Sequence, residues 1–263
     1  GYLPGDPIGY WGIERSLETH LRGARGQAIK MLDRGTSQRI EPRRGADVIL
    51  AIDIHLQARI QALMDPAVGL TRGQTWHSRL PPELLGQPLN GTALVLEVNS
   101  GEVLAAVSMP PISVRQLQDQ PQAIWNDAIH QPFLNRPVAR PYQPGSILKP
   151  LVLAAAFTDG KLGLSETIEC TGSLDPQTPE KLRCWLYKLY YPSVHDHLDG
   201  PEAIARSCNI FFYTLGRRLG PKRLTQWYRS FGFGQRSSCG LVEEVGGDLP
   251  TLRSEADRNR PVK

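Results

Sequence analysis

Ser146 and Lys149 carry the most direct chemistry in this 263-residue sequence, within Tyr142-Gln143-Pro144-Gly145-Ser146-Ile147-Leu148-Lys149-Pro150. A serine hydroxyl is a weak nucleophile and needs a base within hydrogen-bond reach. A spacing of three puts both side chains on one face of a helix. Pro144-Gly145 predicts a turn just before that helix, so Ser146 falls in its first turn. There the free amides favour negative charge developing on an oxyanion. Burial would lower the lysine's pKa enough for it to accept a proton. Pro150 is compatible with a helix start, since proline is tolerated in the first turn. Taken alone, the same spacing suits a serine that only caps a helix.

A second chemistry is open to the cysteines at 170, 184, 208 and 239. Their even number suits disulfides in an oxidising compartment. Cys170, Cys184, His195 and Cys208 form a different set, because three thiolates and one imidazole complete a tetrahedral zinc site. None of these residues forms a CxxC pair. A Cys170–Cys184 disulfide and buried free thiols are the alternatives, and His197 competes with His195 as the imidazole.

Several elements are expected to position these groups. Gly145–Gly160 predicts a helix with Leu148, Leu151, Val152 and Ala155 on one face and Gly160 at its end. Pro201–Leu219 predicts another, with Ile204, Cys208, Phe211, Phe212, Leu215 and Leu219 at helical spacing. Residues 161–200 between them read as irregular. Upstream, Thr92–Val98 and Glu102–Met109 flank Asn99-Ser100-Gly101 and predict a hairpin, ended by Pro110 and Pro111. Val48–Ile54 reads as a strand, with Asp53 capping a helix through Leu56, Ile60 and Leu63. Ile13, Leu17 and Leu21 predict one early helix, broken by Gly23 and Gly26. Residues 65–90 read as loop or linker, and 126–139 are ambiguous.

Composition supports an α+β fold with irregular loops: 40% hydrophobic, 21% charged, 22 prolines and 25 glycines. The net charge of +4 is spread without a basic run, which argues against a nucleic-acid-binding arm. The longest apolar stretch, Leu151–Phe157, is far short of the roughly 18–20 residues a membrane span needs. The chain opens on Gly1 without an apolar leader and is expected to begin inside a longer protein, with any anchor upstream.

Tyr-x-Pro-Gly-Ser-x-x-Lys-Pro followed by a small-residue helix resembles the nucleophile segment of class B penicillin-binding proteins. Ser207-Cys208-Asn209, leading into Phe211-Phe212-Tyr213, is similar to their second motif, Ser-x-Asn. The 92–109 hairpin resembles the first two strands of the transpeptidase sheet. Gly12-Ile13-Glu14 and residues 47–53 resemble the pedestal between membrane anchor and catalytic domain. Arg183-Cys184-Trp185 points to the elongation-type branch, penicillin-binding protein 2. The resemblance implies a penicillin-binding transpeptidase fold, shared with serine β-lactamases. Residues 1–90 would end a pedestal domain and carry the linker, and 91–263 would begin the transpeptidase domain.

The implied activity is peptidoglycan cross-linking through a serine acyl-enzyme. Ser146 would attack the penultimate D-alanine carbonyl of a stem peptide, and Lys149 would take its proton. Ser207 would relay a proton to the leaving amine, and Asn209 would hold the substrate amide. β-Lactams would acylate the same serine. No cofactor is implied for acyl transfer. Some of that branch carry a metal beside the second motif, and His195, 13 residues before Cys208, matches the histidine position there. The implied setting is the bacterial inner membrane, with a periplasmic catalytic domain, a SEDS-type glycosyltransferase partner and a role in elongation and shape.

The family's third motif, Lys-Thr/Ser-Gly, occurs nowhere in the sequence. A fragment is therefore expected, inactive by itself, and D,D-carboxypeptidase turnover by these residues alone would overturn that. A β-lactam-hydrolysing or β-lactam-sensing relative and a non-catalytic truncated scaffold are the alternatives. Trp185, Trp227 and Tyr213 are expected to serve packing, Glu14 structure, and Arg217-Arg218 a solvated helix end.

Overall fold

A computed structural model describes residues 8–31, 33, 35–68 and 90–249. It contains two compact units: Gly1–Arg140 with Ser238–Val245, and Pro141–Ser237 with Gly246–Lys263.

In the first unit, the early helix is two short ones, α1 (Gly12–Ser16) and α2 (Glu18–Leu21), because Leu17 leaves helical geometry at φ −113° and ψ 21°. A hairpin that the sequence did not signal follows: β1 (Gln27–Met31) pairs antiparallel with β2 (Thr36–Ile40), and both are exposed throughout. With neither face buried, no apolar alternation marks these strands.

Residues 48–53 are not a strand. They meet the sheet through a backbone bond from Asp53 N–H to the Leu104 carbonyl (2.9 Å). Asp53 does cap α3 (Ile54–Met64), accepting from the amides of His55 (2.9 Å) and Leu56 (3.0 Å). The Leu56 amide foremost holds its carboxyl below the usual range. Most of the expected 65–90 loop lies outside the described residues.

The predicted hairpin forms from β3 (Gly91–Leu96) and β4 (Val103–Met109), antiparallel, with a register shift at Val95/Leu96. Ala105, Val107 and Met109 alternate into the interior, as a period-two strand requires. The Gln57 side chain of α3 accepts from Ala106 N–H at 2.9 Å. The helices α4 (Val114–Asp119), α5 (Pro121–Trp125) and α6 (Arg136–Ala139) complete the unit.

The second unit holds the larger core. Leu153, Ala155 and Ala156 of α7 (Lys149–Thr158) pack with Phe211 and Leu215 of α10 (Asn209–Ser230). The helix expected from Gly145 starts instead with a 3-10 turn, Gly145–Leu148, and becomes α-helical at Lys149. It ends at Gly160, whose φ of +62° closes the last turn without Cβ strain.

Residues 161–200 contain more order than expected: β5 (Ile168–Cys170), α8 (Trp185–Leu189) and β6 (Asp196–Leu198), with β5 antiparallel to β6. Strands of three residues are too short to print a period on the sequence. The helix expected over Pro201–Leu219 is broken in two, α9 (Gly200–Ala205) and α10, with the break at residues 206–208. α10 kinks at Gly220, φ 73° and ψ 159°, just before Pro221.

Candidate active site

Lys149 opens α7, and its half-buried ammonium reaches across to the break between α9 and α10. Nζ donates to the Ser207 carbonyl (2.7 Å), to Ser207 Oγ (2.9 Å) and to Asn209 Oδ1 (2.9 Å). A protonated lysine has three donors, and all three are satisfied here. Its ammonium also sits 5.4 Å from the Phe212 ring centroid. Burial pushes its pKa below the usual lysine value, and the nearby Cys208 and Cys184 thiols oppose that shift.

Ser146 stands exposed in the 3-10 turn. Its Oγ accepts from Ser207 Oγ at 3.3 Å. The shared face expected of Ser146 and Lys149 therefore acts through a third residue: Lys149 meets Ser207, and Ser207 meets Ser146.

The break itself has a built geometry. Ser207 sits at φ +50°, a left-handed conformation uncommon for a residue with a Cβ. Its N–H donates to Ile204 O (3.0 Å), and Cys208 N–H donates to Ala203 O (3.0 Å). Asn209 begins α10, and its Nδ2 donates to the Arg183 carbonyl (3.1 Å). Helical periodicity could not reveal this break, because the apolar spacing runs straight through it.

Next to it lies a buried cluster. Cys170 ends β5, Cys184 is the N-cap of α8, His195 precedes β6, and Cys208 is the N-cap of α10. Their ligand atoms all lie within 4.8 Å of one another. His195 Nδ1 is 3.2 Å from Cys184 Sγ and 3.8 Å from Cys170 Sγ. The crowded thiols compete for protons. Hydrogen bonds from the Cys170 and Cys208 thiols drive Cys184 down, while the contacts with Cys170 and Cys184 push Cys208 up. The three cysteines are free thiols, so the Cys170–Cys184 disulfide is not formed here. His197 stays exposed, paired with Glu169 in the ladder, and does not join. Cys239 is exposed.

The sequence treated Trp185 as packing. Its indole Nε1 instead donates to the Arg206 carbonyl at 3.0 Å, and its ring lies 5.5 Å from His195. No spacing rule could have paired residues 185 and 206.

Residues 91–259 match the penicillin binding protein transpeptidase domain. The chain is 29% identical over 253 residues to peptidoglycan D,D-transpeptidase MrdA of Acinetobacter baumannii, covering 92% of this chain and 34% of that protein. It is 27% identical over 260 residues to MrdA of Escherichia coli K12, covering 95% and 37%. Among solved structures, Pseudomonas aeruginosa PBP2 in complex with WCK 5153 is similar at a TM-score of 0.67 and 27% identity, over 93% of this chain and 47% of that one. PBP2 from Helicobacter pylori has the same fold at a TM-score of 0.65 and 23% identity, over 94% and 44%. The chain spans about a third of the length of the curated relatives it matches. Its helices and antiparallel pairings belong to the penicillin-binding transpeptidase fold, and the chain is a member of the penicillin binding protein transpeptidase domain family.

Proposed function

We propose that the full-length protein is a serine-type peptidoglycan D,D-transpeptidase of the elongation-type branch. The observation that carries this is one hydrogen-bonded line: Lys149 Nζ to Ser207 Oγ (2.9 Å), and Ser207 Oγ to Ser146 Oγ (3.3 Å), in a chain of this family. With Lys149 neutral, the Ser146 proton passes by way of Ser207 to Nζ while Oγ attacks the penultimate D-alanine carbonyl. The peptide C–N bond then breaks. Ser207 returns a proton to the leaving amine, and D-alanine departs. An amine of a neighbouring strand takes the acyl group and frees Ser146. Asn209 accepts from Lys149 at Oδ1 and donates from Nδ2 to the Arg183 carbonyl, and the second N–H and second lone pair of its carboxamide are what would bind a substrate amide.

The cluster beside it fits zinc. Three thiols and one imidazole are a soft tetrahedral donor set, whose ligand atoms stand about 4 Å apart when filled. Cys170, Cys184, His195 and Cys208 are buried, with their ligand atoms all within 4.8 Å of one another. Bound zinc would supply structural cross-linking and no part of the acyl transfer. Cys208 lies between Ser207 and Asn209, so the ligand set would fix the segment that presents both.

We assign residues 1–90 to the end of a pedestal domain and its linker, and 91–263 to the first part of the transpeptidase domain. A periplasmic catalytic domain on a membrane anchor, covalent binding of β-lactams and a SEDS-type partner complete the proposal. Among the described residues no helix is long and apolar enough to cross a membrane. The test is labelling of the full-length protein with fluorescent penicillin. Label is expected on the wild type and absent from Ser146→Ala; labelling that survives the substitution would place the nucleophile elsewhere.

A further inference from the structure

Two segments run side by side next to Ser146. Arg183 O accepts from Asn209 Nδ2 at 3.1 Å, the Cys184 and Cys208 thiols meet in the cluster, and Trp185 Nε1 donates to Arg206 O at 3.0 Å. Residues 183, 184 and 185 thus clasp 209, 208 and 206 in antiparallel order. The first rung holds Asn209 and the second belongs to the thiol cluster. The third holds the peptide just before Ser207.

That peptide decides where the Ser207 hydroxyl points. A left-handed φ of +50° persists in a residue with a Cβ only where its surroundings over-determine it. Four backbone groups flank the Ser207 α-carbon and its two peptides. Ser207 N–H is held by Ile204 O, Cys208 N–H by Ala203 O, and the Ser207 carbonyl by Lys149 Nζ. The fourth, the Arg206 carbonyl, is held by the Trp185 indole. Without it the Arg206–Ser207 peptide keeps only its N–H bond to Ile204 O, and a turn of that peptide about this bond would carry Ser207 Oγ away from Ser146 Oγ.

The indole is placed for this bond more than for burial. Trp185 is 39% exposed, whereas core aromatics are covered on both faces. One side of its ring lies against buried His195, centroids 5.5 Å apart and inclined at 60°. The ring therefore ties the thiol–imidazole cluster to the carbonyl that sets Ser207.

We infer that Trp185 is a positioning residue for the Ser146–Ser207 contact, acting through the hydrogen bond from its indole N–H to the Arg206 carbonyl. The inference rests on the proposed serine acylation. It is tested in the full-length protein with Trp185→Phe and with a benzothienylalanine at position 185, an isostere with sulfur in place of N–H. Stopped-flow acylation by a fluorescent penicillin separates non-covalent affinity from the acylation rate constant; zinc content and Tm are read in parallel. Both variants are expected to lose roughly ten- to a hundredfold in acylation rate. Affinity, zinc content and, for the isostere, Tm should stay at wild-type values. A wild-type acylation rate in the isostere overturns the inference, as does a loss of rate that only accompanies loss of zinc or of affinity. An unlabelled wild-type protein removes the underlying function and this inference with it, whereas a labelled wild type with unimpaired variants removes this inference alone.

Discussion

Ser146 and Ser207 stand 3.3 Å apart and are held in opposite ways. Ser146 sits exposed on a 3-10 turn between Gly145, at φ +59°, and Ile147, which is 76% exposed. What fixes it is the helix behind it. Ser207 sits half-buried at a helix break, with its flanking peptides bonded on both sides and its neighbour Cys208 in the buried cluster. In the proposed reaction the open arm would admit the incoming carbonyl, and the rigid arm would supply a preorganised proton path. Lys149 joins them, since it belongs to the helix of the first arm and bonds to the backbone and side chains of the second.

The largest expected effect comes from the joint itself. Lys149→Ala removes the proposed proton acceptor and the donor to Ser207 O and Asn209 Oδ1. Acylation by a fluorescent penicillin should fall by roughly 10²–10⁴-fold. Ser207→Ala leaves Lys149 in place but cuts the path between Ser146 and Nζ, and should lose about as much. A much smaller loss would mean that Lys149 takes the Ser146 proton without Ser207, and the rigid arm would then not be the proton path.

Removal of the proposed zinc should separate the arms. A chelator, or Cys208→Ala, is expected to raise amide hydrogen exchange over residues 206–209 while α7 keeps its protection, and to lower Tm by about 5 °C or more. Equal loosening of both segments would show that the cluster supports the whole unit and not the rigid arm.

A smaller effect is a pH dependence. Burial lowers the Lys149 pKa from 10.5, and only the neutral amine accepts a proton. The acylation rate should therefore rise with pH through an inflection below 10.5. Stability carries the same sign. Between the lowered folded pKa and 10.5 the unfolded chain binds more protons, so stability from this group increases as pH rises across that window. A pH–rate profile flat to pH 10 would exclude Lys149 as the acceptor.

The open arm was legible in the sequence and the rigid arm was not. Pro144-Gly145 before Ser146, the apolar face of α7 and the Gly160 stop are local features, each readable within a few residues. The 92–109 hairpin and the Asp53 cap are local in the same sense. The break at 206–208 hides inside a helical period that continues from Ile204 through Phe211 to Leu215, because it is held by tertiary bonds from residues 149 and 185. The meeting of Cys170 with His195 depends on a three-residue ladder, β5–β6, that the sequence left as irregular. Val48–Ile54 failed in the other direction: among the described residues, an apolar run typical of a strand pairs with the sheet through one bond to Leu104.

The smallest effect lies at the far end of the two arms, where α7 and α10 are latched. Asp159, which caps α7, accepts from Arg223 Nε (2.6 Å) and Nη2 (2.7 Å) and from Trp227 Nε1 (3.1 Å), both residues lying beyond the Gly220 kink. The bidentate Arg223 bond foremost holds its pKa at about 2, against 3.8 for a free side chain. A carboxyl lowered by folding stabilises above its unfolded pKa and loses that contribution as pH falls through its folded one. Wild-type Tm should therefore drop between pH 4 and pH 2, and Asp159→Asn should flatten that part of the curve. At neutral pH the acylation rate of Asp159→Asn should stay within about twofold of wild type, since removing a pairing this far from the reacting atoms leaves their alignment in place. A loss as large as that of Ser207→Ala would mean that the far latch, and not the clasp around Cys208, sets the distance between the two serines.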